Sequence, residues 1–327
     1  MPAMNESWRP AASREVIQSR ARMLRDIRAF FDQRGVLEVE TPLMSSSSTT
    51  DPNINSFSTR YQHQRLYLNT SPEYCMKRLL AAHGDAVYQV CKSFRDGELG
   101  PNHNPEFTML EWYRPGFDMF ELMDELGDLV QMLAGNYALK SDSLQKISYA
   151  EAYRHAAGIN PHATSADECR SCAVKHGIEQ PAGLEDDIDE WLDWLLTQLV
   201  MPTFQADGFT FLYDYPESQA ALAKLYKNQF GFNVAARFEL FYGETELANG
   251  YNELLDADEQ RQRFEYENLQ RFNAGLQPSI IDDKLLEALV HGLPACSGVA
   301  LGLDRLLMLL TGVDKLEQIL AFPFSRI

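Results

Sequence analysis

The sequence predicts an α+β fold in which helices flank an antiparallel sheet, with a helical insertion at about residues 136–200. Two apolar, β-rich runs, 87–94 and 107–114, are joined by a polar loop that is dense in Gly, Pro and Asn, as in a hairpin. Further strand-like runs follow the helical region, at 209–213 and 235–242. This meander of strands, with capped amphipathic helices around it, is typical of an antiparallel sheet covered by helices.

Composition narrows the class of protein. The 327 residues are enough for an ample core, and we expect a single catalytic domain over 1–327. The net charge of −18 argues against non-specific binding to nucleic-acid phosphates. Five scattered Cys suit a reducing cytoplasm. No stretch approaches the roughly 20 apolar residues of a membrane span, and the N-terminus has no signal core, so a cytoplasmic protein without membrane contact is expected.

The first elements have clear start and stop signals. Ser13 is expected to cap a helix that runs to about Arg34 and stops at Gly35. A strand-like pattern then ends at Pro42, and residues 45–65 are expected to form a polar loop. A short strand at 66–69 precedes a helix that begins at Pro72, is capped by Ser71 and ends at Gly84.

The hairpin carries the most informative side chains. Because side chains alternate along a strand, four residues of the second run share one face: Phe107, Met109, Glu111 and Tyr113. Arg95 follows the row Gln89, Cys91 and Ser93 on the first run. A carboxylate set among apolar residues needs partners if it is buried, so the pattern favours a polar pocket over a solvated surface hairpin.

The second half of the chain reads as helices and strands in alternation. Helices are expected at 115–135, within 141–200, at 256–272 as a surface element, at 282–291 and from Leu303 onward. Within 141–200, Ser165 and Glu168 are expected to form a capping box for a helix that ends near Gly177. Glu239 lies on a strand and Glu246 just beyond it, and the two carboxylates suit a divalent cation or, equally, a solvated acidic edge. Cys169 and Cys172 lack a second ligand pair and are expected to be ordinary helix residues.

Three motifs carry a family resemblance. FRDGEL followed by HNPEFTMLEWY resembles motif 2 of the class II aminoacyl-tRNA synthetases, in its lysyl form. GVLEVETPLMS is similar to motif 1, which builds a dimer interface in that family, and ALGLDR is similar to motif 3. The motifs occur in order over nearly the whole chain. The resemblance implies a class II synthetase-like antiparallel sheet flanked by helices, a homodimer, and ATP-dependent activation of an amino acid as its adenylate.

The resemblance also implies roles for individual residues. Arg95 and Arg305 would be catalytic, binding the α- and γ-phosphates of ATP, and Phe107 would stack on adenine. Glu239 and Glu246 would hold Mg²⁺ with the phosphates. The full ATP site would comprise Arg95, Asp96, Gly97, Glu98, His103, Asn104, Phe107, Glu239, Glu246, Leu247, Gly302 and Arg305. The amino-acid site would comprise Ser71, Pro72, Glu73, Glu111, Tyr113, Asn249, Glu253 and Ala300. Its carboxylates would favour a substrate with two amino groups.

Several features depart from the lysyl synthetases. The first helix leads directly into motif 1, so no anticodon-binding domain and no reading of a tRNA anticodon are expected. Ala300 and Ser71 stand where those enzymes have Gly and tend to have Ala, and Gly97 replaces the Glu of the usual Arg-x-Glu. These features closely resemble the elongation factor P–(R)-β-lysine ligase family, through HNPEFTMLEWYRP, ELANG and CSGVALG. That resemblance implies transfer of (R)-β-lysine to a lysine of elongation factor P.

Two other interpretations stay open at this point. A truncated ligase that charges tRNA with lysine would want a more basic surface than the composition provides. A non-catalytic regulatory paralogue would be favoured by loss of Arg95 or Arg305, which are both present, but it is kept open by Gly97.

Overall fold

The computed structural model of the protein describes residues 8–141, 143–181, 183–184 and 187–327. The chain forms two compact units. The first unit comprises the chain up to Phe117, together with Asp128–Leu139 and Leu255–Ile327, and the second comprises Asp118–Gly127 and Lys140–Leu254. The predicted α+β class, with mainly antiparallel sheets and flanking helices, is confirmed. A single catalytic domain over the whole chain stays a prediction.

The first unit begins with helix α1, Arg14–Asp32, which ends two residues before the predicted Arg34. The Ser13 hydroxyl accepts a hydrogen bond from the amide of Val16, as the predicted cap requires. The buried face of α1 carries Phe31, whose ring stacks on Tyr88 at 4.4 Å and meets Trp112 edge-on. These contacts fasten α1 to the sheet of this unit.

The strands and helix that follow lie close to their predicted positions, with one exception. Their bounds are β1 Leu37–Glu38, β2 Met44–Ser45, β3 Ser58–Tyr61, β4 Gln64–Leu68, helix α2 Glu73–His83, β5 Val87–Phe94 and β6 Glu106–Pro115. The exception is the polar loop predicted for 45–65, which is wrong: β2, β4 and β3 pair into a small antiparallel sheet there. Helix α2 begins one residue later than predicted and ends at left-handed Gly84.

The chain then passes through helix α3, Met119–Asn136, to the remaining elements of the second unit. These are β7 Leu144–Ser148, α4 Tyr149–Ala156, α5 Ala166–His176, α6 Ile188–Leu195, β8 Phe209–Pro216, β9 Leu225–Lys227, β10 Asn233–Tyr242 and β11 Thr245–Asn252. Strand β10 pairs antiparallel with β8, β9 and β11, and β7 pairs parallel with β8. The expectation of helices alone in the insertion is therefore wrong at β7.

Aromatic side chains form the core of the second unit. The rings of Tyr149 and Tyr153 stack at 4.6 Å, and both lie against buried Trp191 and Tyr215 in one cluster. Helix α5 starts with the predicted capping box of Ser165 and Glu168, while α6 is capped by Asp187 and continues into one π-turn, Leu196–Val200. Cys169 and Cys172 are buried in α5, as expected of ordinary helix residues.

The last segment returns to the first unit. Its elements are α7 Ala257–Asn273, α8 Asp283–Gly292, β12 Cys296–Gly302 and α9 Leu303–Thr311, with short 3-10 turns at Leu316–Gln318 and Phe324–Arg326. The second unit also contains 3-10 turns, at Met201–Thr203 and Glu217–Gln219. Strand β12 pairs antiparallel with β6, which completes the order β1-β5-β6-β12 in this unit. Helix α7 is more than the surface element predicted, since Gln260, Phe264 and Arg271 are buried. Among the described residues, no helix is long and apolar enough to cross a membrane.

Candidate active site

A strip of predicted site residues lies along strands β6 and β12 of the first unit. On β6 the side chains of Phe107, Met109, Glu111 and Tyr113 share one face, as the alternation predicted. Directly opposite on β12 are only small residues: Gly302 faces Met109, Ala300 faces Glu111 and Gly298 faces Tyr113. Since directly opposed residues of an antiparallel pair lie on the same face, the small residues of β12 leave room for a ligand beside the β6 row.

Glu111 is the polar centre of this strip. Its side chain is 2% exposed. The Tyr113 hydroxyl donates to Oε1 at 2.6 Å, and the Ser71 hydroxyl donates to Oε2 at 2.7 Å. The sequence-based expectation that a buried Glu111 needs partners is thus met by two hydroxyls, one from its own strand and one from the turn before α2. These two hydroxyl donors hold the carboxylate oxygens in fixed positions.

Ser71 also organises the start of α2. Its hydroxyl oxygen accepts a hydrogen bond from the amide of Glu73 at 3.0 Å, just after the buried Pro72. The Glu73 carboxylate in turn pairs with the ammonium of Lys77 at 2.6 Å, and Lys77 is almost fully buried. Sequence reasoning missed Lys77, although its spacing of four residues from Glu73 on a helix was a usable signal. One of the predicted pocket carboxylates therefore has a cation of the protein beside it.

Two residues of β5 complete the environment of Glu111. Gln89 lies directly opposite Glu111 and is 3% exposed, and none of the described residues donates a hydrogen bond to its side-chain oxygen. A buried acceptor without a donor is costly, so this oxygen is suited to a donor from a ligand. Burial, with a smaller contribution from Glu111, raises the pKa of Cys91 to about 12, so its thiol stays protonated.

Arg95 stands at the end of β5, at the entrance to the loop of motif 2. Its guanidinium lies 5.1 Å from the ring centre of Phe107, and its Nη1 is 3.6 Å from the Glu98 carboxylate. Gly97 adopts a φ of +84°, a conformation that side chains rarely tolerate. The replacement of the family Glu by Gly97 is thus built into the turn, and Glu98 supplies a carboxylate to Arg95.

The far end of the same loop is joined to α9. Arg305 donates from Nη2 to His103 Nε2 at 2.8 Å and from Nε to the Asn102 carbonyl at 3.5 Å. Partial burial of the ring, and next the neighbouring Arg305, lower the pKa of His103, which keeps the imidazole neutral and able to accept. The Asn104 amide bridges the Glu106 carbonyl and the amide of Phe324. The structure therefore brings His103 and Arg305 together, as predicted residues of one site.

Helix α9 is docked on β6 by the residue before Arg305. The carboxylate of Asp304 accepts the amide of Thr108 at 2.7 Å and pairs with Arg20 of α1 at 2.6 Å. Asp304 is buried, so these bonds fix the direction in which the first turn of α9 presents its side chains. Gly302, the N-cap of α9, makes no side-chain cap.

In the second unit, two predicted site residues, Glu239 and Asn249, contact Arg237, which sequence reasoning overlooked as a site residue. Arg237 pairs with Glu239 at 2.5 Å, donates to the Asn249 side chain and the Gln219 carbonyl, and lies 4.4 Å from the ring centre of Tyr215. Burial lowers the pKa of Arg237, but Glu239, Tyr251 and Tyr215 together outweigh that effect, so the net shift is upward. Glu239 is therefore held in a fixed orientation by a permanent cation.

A β-bulge decides the position of Glu246. Glu239 pairs with Asn249 and Leu240 with Ala248, but Phe241 pairs with Glu246, so Leu247 is the extra residue. Without the bulge, Glu246 would face the opposite side of the sheet, because side chains alternate. With it, Glu246 shares the face of Glu239 and Asn249. Glu253, also in this unit, is buried just beyond the end of β11.

The donor set suits a hard cation bound to a phosphate chain. Mg²⁺ is usually held by one or two protein carboxylates, with substrate phosphates and water completing its shell. Glu239 and Glu246 supply two such carboxylates on one face. Within the described ranges, no cluster of three or more His, Cys, Asp and Glu side chains is arranged to hold a metal by itself. The residues therefore fit a cation that arrives with a nucleotide.

Comparison with known proteins gives a consistent picture. The chain matches the model of the family described as tRNA synthetases class II (D, K and N) over residues 6–326. It is similar to the elongation factor P–(R)-β-lysine ligases of Salmonella paratyphi B, Salmonella schwarzengrund and Yersinia enterocolitica. In each case the identity is 46% over 326 residues, which span 98% of this chain and 98% of the relative.

Proposed function

This chain belongs to the class II tRNA synthetase family (D, K and N), and we propose that within it the chain activates (R)-β-lysine with ATP and transfers it to a lysine of elongation factor P. The observation that carries this proposal is the match, over nearly the full length of both chains, to relatives named for that ligation. The buried Glu111, the small residues opposite it on β12 and the paired Arg305 and His103 support it.

The proposed reaction has two steps. In the first, a carboxylate oxygen of β-lysine attacks the α-phosphorus of ATP, the bond to the β-phosphate breaks, and pyrophosphate leaves. In the second, the ε-amine of the acceptor lysine attacks the carbonyl carbon of the adenylate, an amide bond forms, and AMP leaves with the bonding electron pair. Such chemistry depends mainly on positioning and on stabilising negative charge, rather than on a protein nucleophile.

Residues of the first unit are proposed to bind ATP along the motif 2 loop. Arg95 would bind the α-phosphate and Phe107 would stack on adenine, with Asp96, Gly97, Glu98 and the loop residues His103 and Asn104 shaping the site. Arg305 would bind the γ-phosphate. The close approach of Arg305 to His103 supports this, since it anchors the guanidinium at the end of the loop.

The strip around Glu111 is proposed to bind the diamine. Glu111 and the Gln89 oxygen would accept hydrogen bonds from an ammonium group, with Tyr113 and Ser71 fixing the carboxylate. Ser71, Pro72 and Glu73 would form one wall, and Ala300 would limit the depth of the strip. A cationic ligand is favoured over a neutral amino acid at a buried carboxylate, because the cation compensates the cost of burying the negative charge.

Residues of the second unit are proposed to bind the cation and part of the substrate. Glu239 and Glu246 would hold Mg²⁺, which neutralises charge on the triphosphate when bound. The backbone at Leu247 would contribute to the ATP site, and Asn249 and Glu253 to the amino-acid site. The ion pair of Arg237 with Glu239 would keep this carboxylate oriented for its role.

A homodimer through motif 1 is also proposed. Large apolar side chains are exposed in this part of the first unit, including Leu37 at 57% and Met44 at 52%. Such exposure is typical of a surface that is covered by a partner. A sedimentation experiment on the wild-type protein and on the variant Leu37→Glu tests this, because only the wild type should sediment as a dimer.

The experiment that tests the proposed function is ATP–pyrophosphate exchange with purified protein, comparing (R)-β-lysine with α-lysine. Strong exchange with β-lysine and weak exchange with α-lysine is expected. A second assay follows the mass of elongation factor P, which should increase by one β-lysyl group. Arg95→Ala should abolish exchange and leave the folded protein intact.

A preference for α-lysine, with no change in the mass of elongation factor P, would contradict the proposal and favour a tRNA-charging enzyme. Absence of exchange with either diamine, in protein that still binds ATP, would favour a non-catalytic paralogue.

A further inference from the structure

Arg271, in the last turn of α7, is a buried cation with an unusual set of partners. Its side chain is 7% exposed. It donates four hydrogen bonds: Nε to the Gln277 carbonyl, Nη1 to the Asp51 and Ile54 carbonyls, and Nη2 to the Asn55 side-chain oxygen, at 2.8–3.2 Å. All four acceptors are neutral. Burying a charge costs free energy. The several N–H donors of the guanidinium offset this cost by bonding acceptors that lie in different directions.

The segment that Arg271 holds leads directly to the proposed ATP loop. The backbone carbonyl of Asn55 accepts a hydrogen bond from the amide of Asp96 at 2.8 Å, and the two residues form an isolated β-bridge. Asp96 follows Arg95 in the chain, and its other neighbour is Gly97, with its left-handed backbone. Asn55 is thus bound by Arg271 on its side chain and by the motif 2 turn on its backbone.

Two other hydrogen bonds attach the beginning of this segment, at Ser47 and Thr50, to Asp282 and to helix α7. The Ser47 hydroxyl donates to buried Asp282 at 2.7 Å, and the Thr50 hydroxyl donates to Glu267 of α7. These bonds hold the beginning of the segment, whereas the four bonds of Arg271 hold its end, nearest Asp96. Loss of Arg271 should therefore loosen Asn55 while leaving residues 47–50 attached.

We infer that Arg271 is a positioning residue for the phosphate-binding turn, acting through Asn55 on the backbone of Asp96 and so on the direction of the Arg95 side chain. This inference rests on the proposed function, in which Arg95 binds ATP. Lys cannot replace Arg271, because a single ammonium cannot reach acceptors that lie around three separate nitrogen atoms of a planar group.

The test uses the full chain and three variants. Arg271→Lys keeps the charge and removes the fork. Asn55→Ala removes only the side-chain acceptor of an exposed residue, so it should fold normally. Arg261→Lys is the matched control, because Arg261 lies on the same helix but is exposed and pairs with exposed Asp283. Two readouts are taken: hydrogen–deuterium exchange of the amide of Asp96, and the kinetic constants of ATP–pyrophosphate exchange for ATP and for β-lysine.

In Arg271→Lys, the Asp96 amide should exchange faster and kcat/KM for ATP should fall about 10- to 100-fold, as expected when a reacting group is misplaced by about 1 Å. The KM for β-lysine should change little, which separates positioning of the ATP loop from general loss of structure. Asn55→Ala should shift the same two readouts in the same direction by less, and Arg261→Lys should shift neither.

Wild-type exchange of the Asp96 amide in Arg271→Lys would overturn the inference, whatever the activity. So would faster amide exchange with unchanged kinetics for ATP. If the wild-type protein catalyses no exchange with any amino acid, the proposed function fails, while the amide measurement still decides whether Arg271 orders the turn.

Discussion

Replacement of Glu111 by Gln tests the proposed diamine site most directly. Gln has nearly the shape of Glu, so the oxygen that accepts from Tyr113 can be kept, and the Ser71 hydroxyl can rotate to accept from the new amide. The fold should survive. What is lost is a buried negative charge, at a position with 2% exposure, where the proposed substrate places an ammonium group.

The size of the effect follows from the burial. A hydrogen bond to a charged group contributes about 1.5–3 kcal/mol, against about 1 kcal/mol for a neutral pair. The difference is about 0.5–2 kcal/mol, so at about 1.4 kcal/mol for each tenfold change the KM for (R)-β-lysine should rise roughly 2- to 30-fold in Glu111→Gln. The KM for ATP should be little changed, because the loop that carries Arg95 is not altered.

The assay is ATP–pyrophosphate exchange with each substrate varied in turn. The matched control is Glu106→Gln, which makes the same chemical change on the same strand, where an exposed Glu106 pairs with Lys92 at 3.3 Å. The control should retain both KM values, since exposed ion pairs contribute little. If Glu111→Gln and Glu106→Gln gave the same KM for β-lysine, Glu111 would not bind the substrate amine.

Three further predictions concern the surroundings of the site. Ser71→Ala removes the donor to Glu111 and the acceptor for the Glu73 amide, so the free energy of unfolding, measured with denaturant, should fall by about 1–3 kcal/mol. The preference for β-lysine over α-lysine in ATP–pyrophosphate exchange should become smaller. An unchanged free energy of unfolding would argue against both hydrogen bonds. Gly97→Glu restores the family residue but forces a side chain into a φ of +84°, which costs about 1–2 kcal/mol. The kcat/KM for ATP should therefore fall, and Gly97→Asn should be better tolerated. A higher kcat/KM for ATP in the Glu variant would refute the argument from backbone strain. Burial raises the pKa of Glu267 from 4.5 to about 7, so its protonated form stabilises the native state fully below pH 4.5, and this contribution is lost as pH rises through about 7. Glu267→Gln should therefore remove this pH dependence and raise the free energy of unfolding by roughly 1–3 kcal/mol at pH 8. Parallel curves of stability against pH for the variant and the wild type would contradict this prediction.

The features that could be predicted from the sequence are those with a local cause. Alternation along a strand placed Phe107, Met109, Glu111 and Tyr113 on one face before any partner strand was known. The caps at Ser13 and Ser165 were predicted because a hydroxyl bonds an amide three residues away. The motifs themselves, which are runs of adjacent residues, were sufficient for the family.

Other features depend on pairings that no local pattern encodes. β11 was not predicted as a strand, and the bulge that turns Glu246 toward the face of Glu239 is set by the register with β10. β7 was hidden in a helical region because it pairs with β8, more than sixty residues later. The segment 45–65 was predicted as a loop from its polar residues, but Ser47 and Thr50 bond to Asp282 and Glu267, far along the chain.

The sequence by itself thus determined which residue types carry the chemistry and on which side of each strand they project, because those properties depend on neighbours within a few positions. The tertiary structure alone decided how their charges are balanced. Arg237 beside Glu239, the two hydroxyls on Glu111 and the guanidinium of Arg271 on Asn55 depend on strand register and on the packing of distant segments. Such long-range contacts form only when the whole unit folds and buries them. A polar side chain that is buried in this way needs a hydrogen-bonding or charged partner.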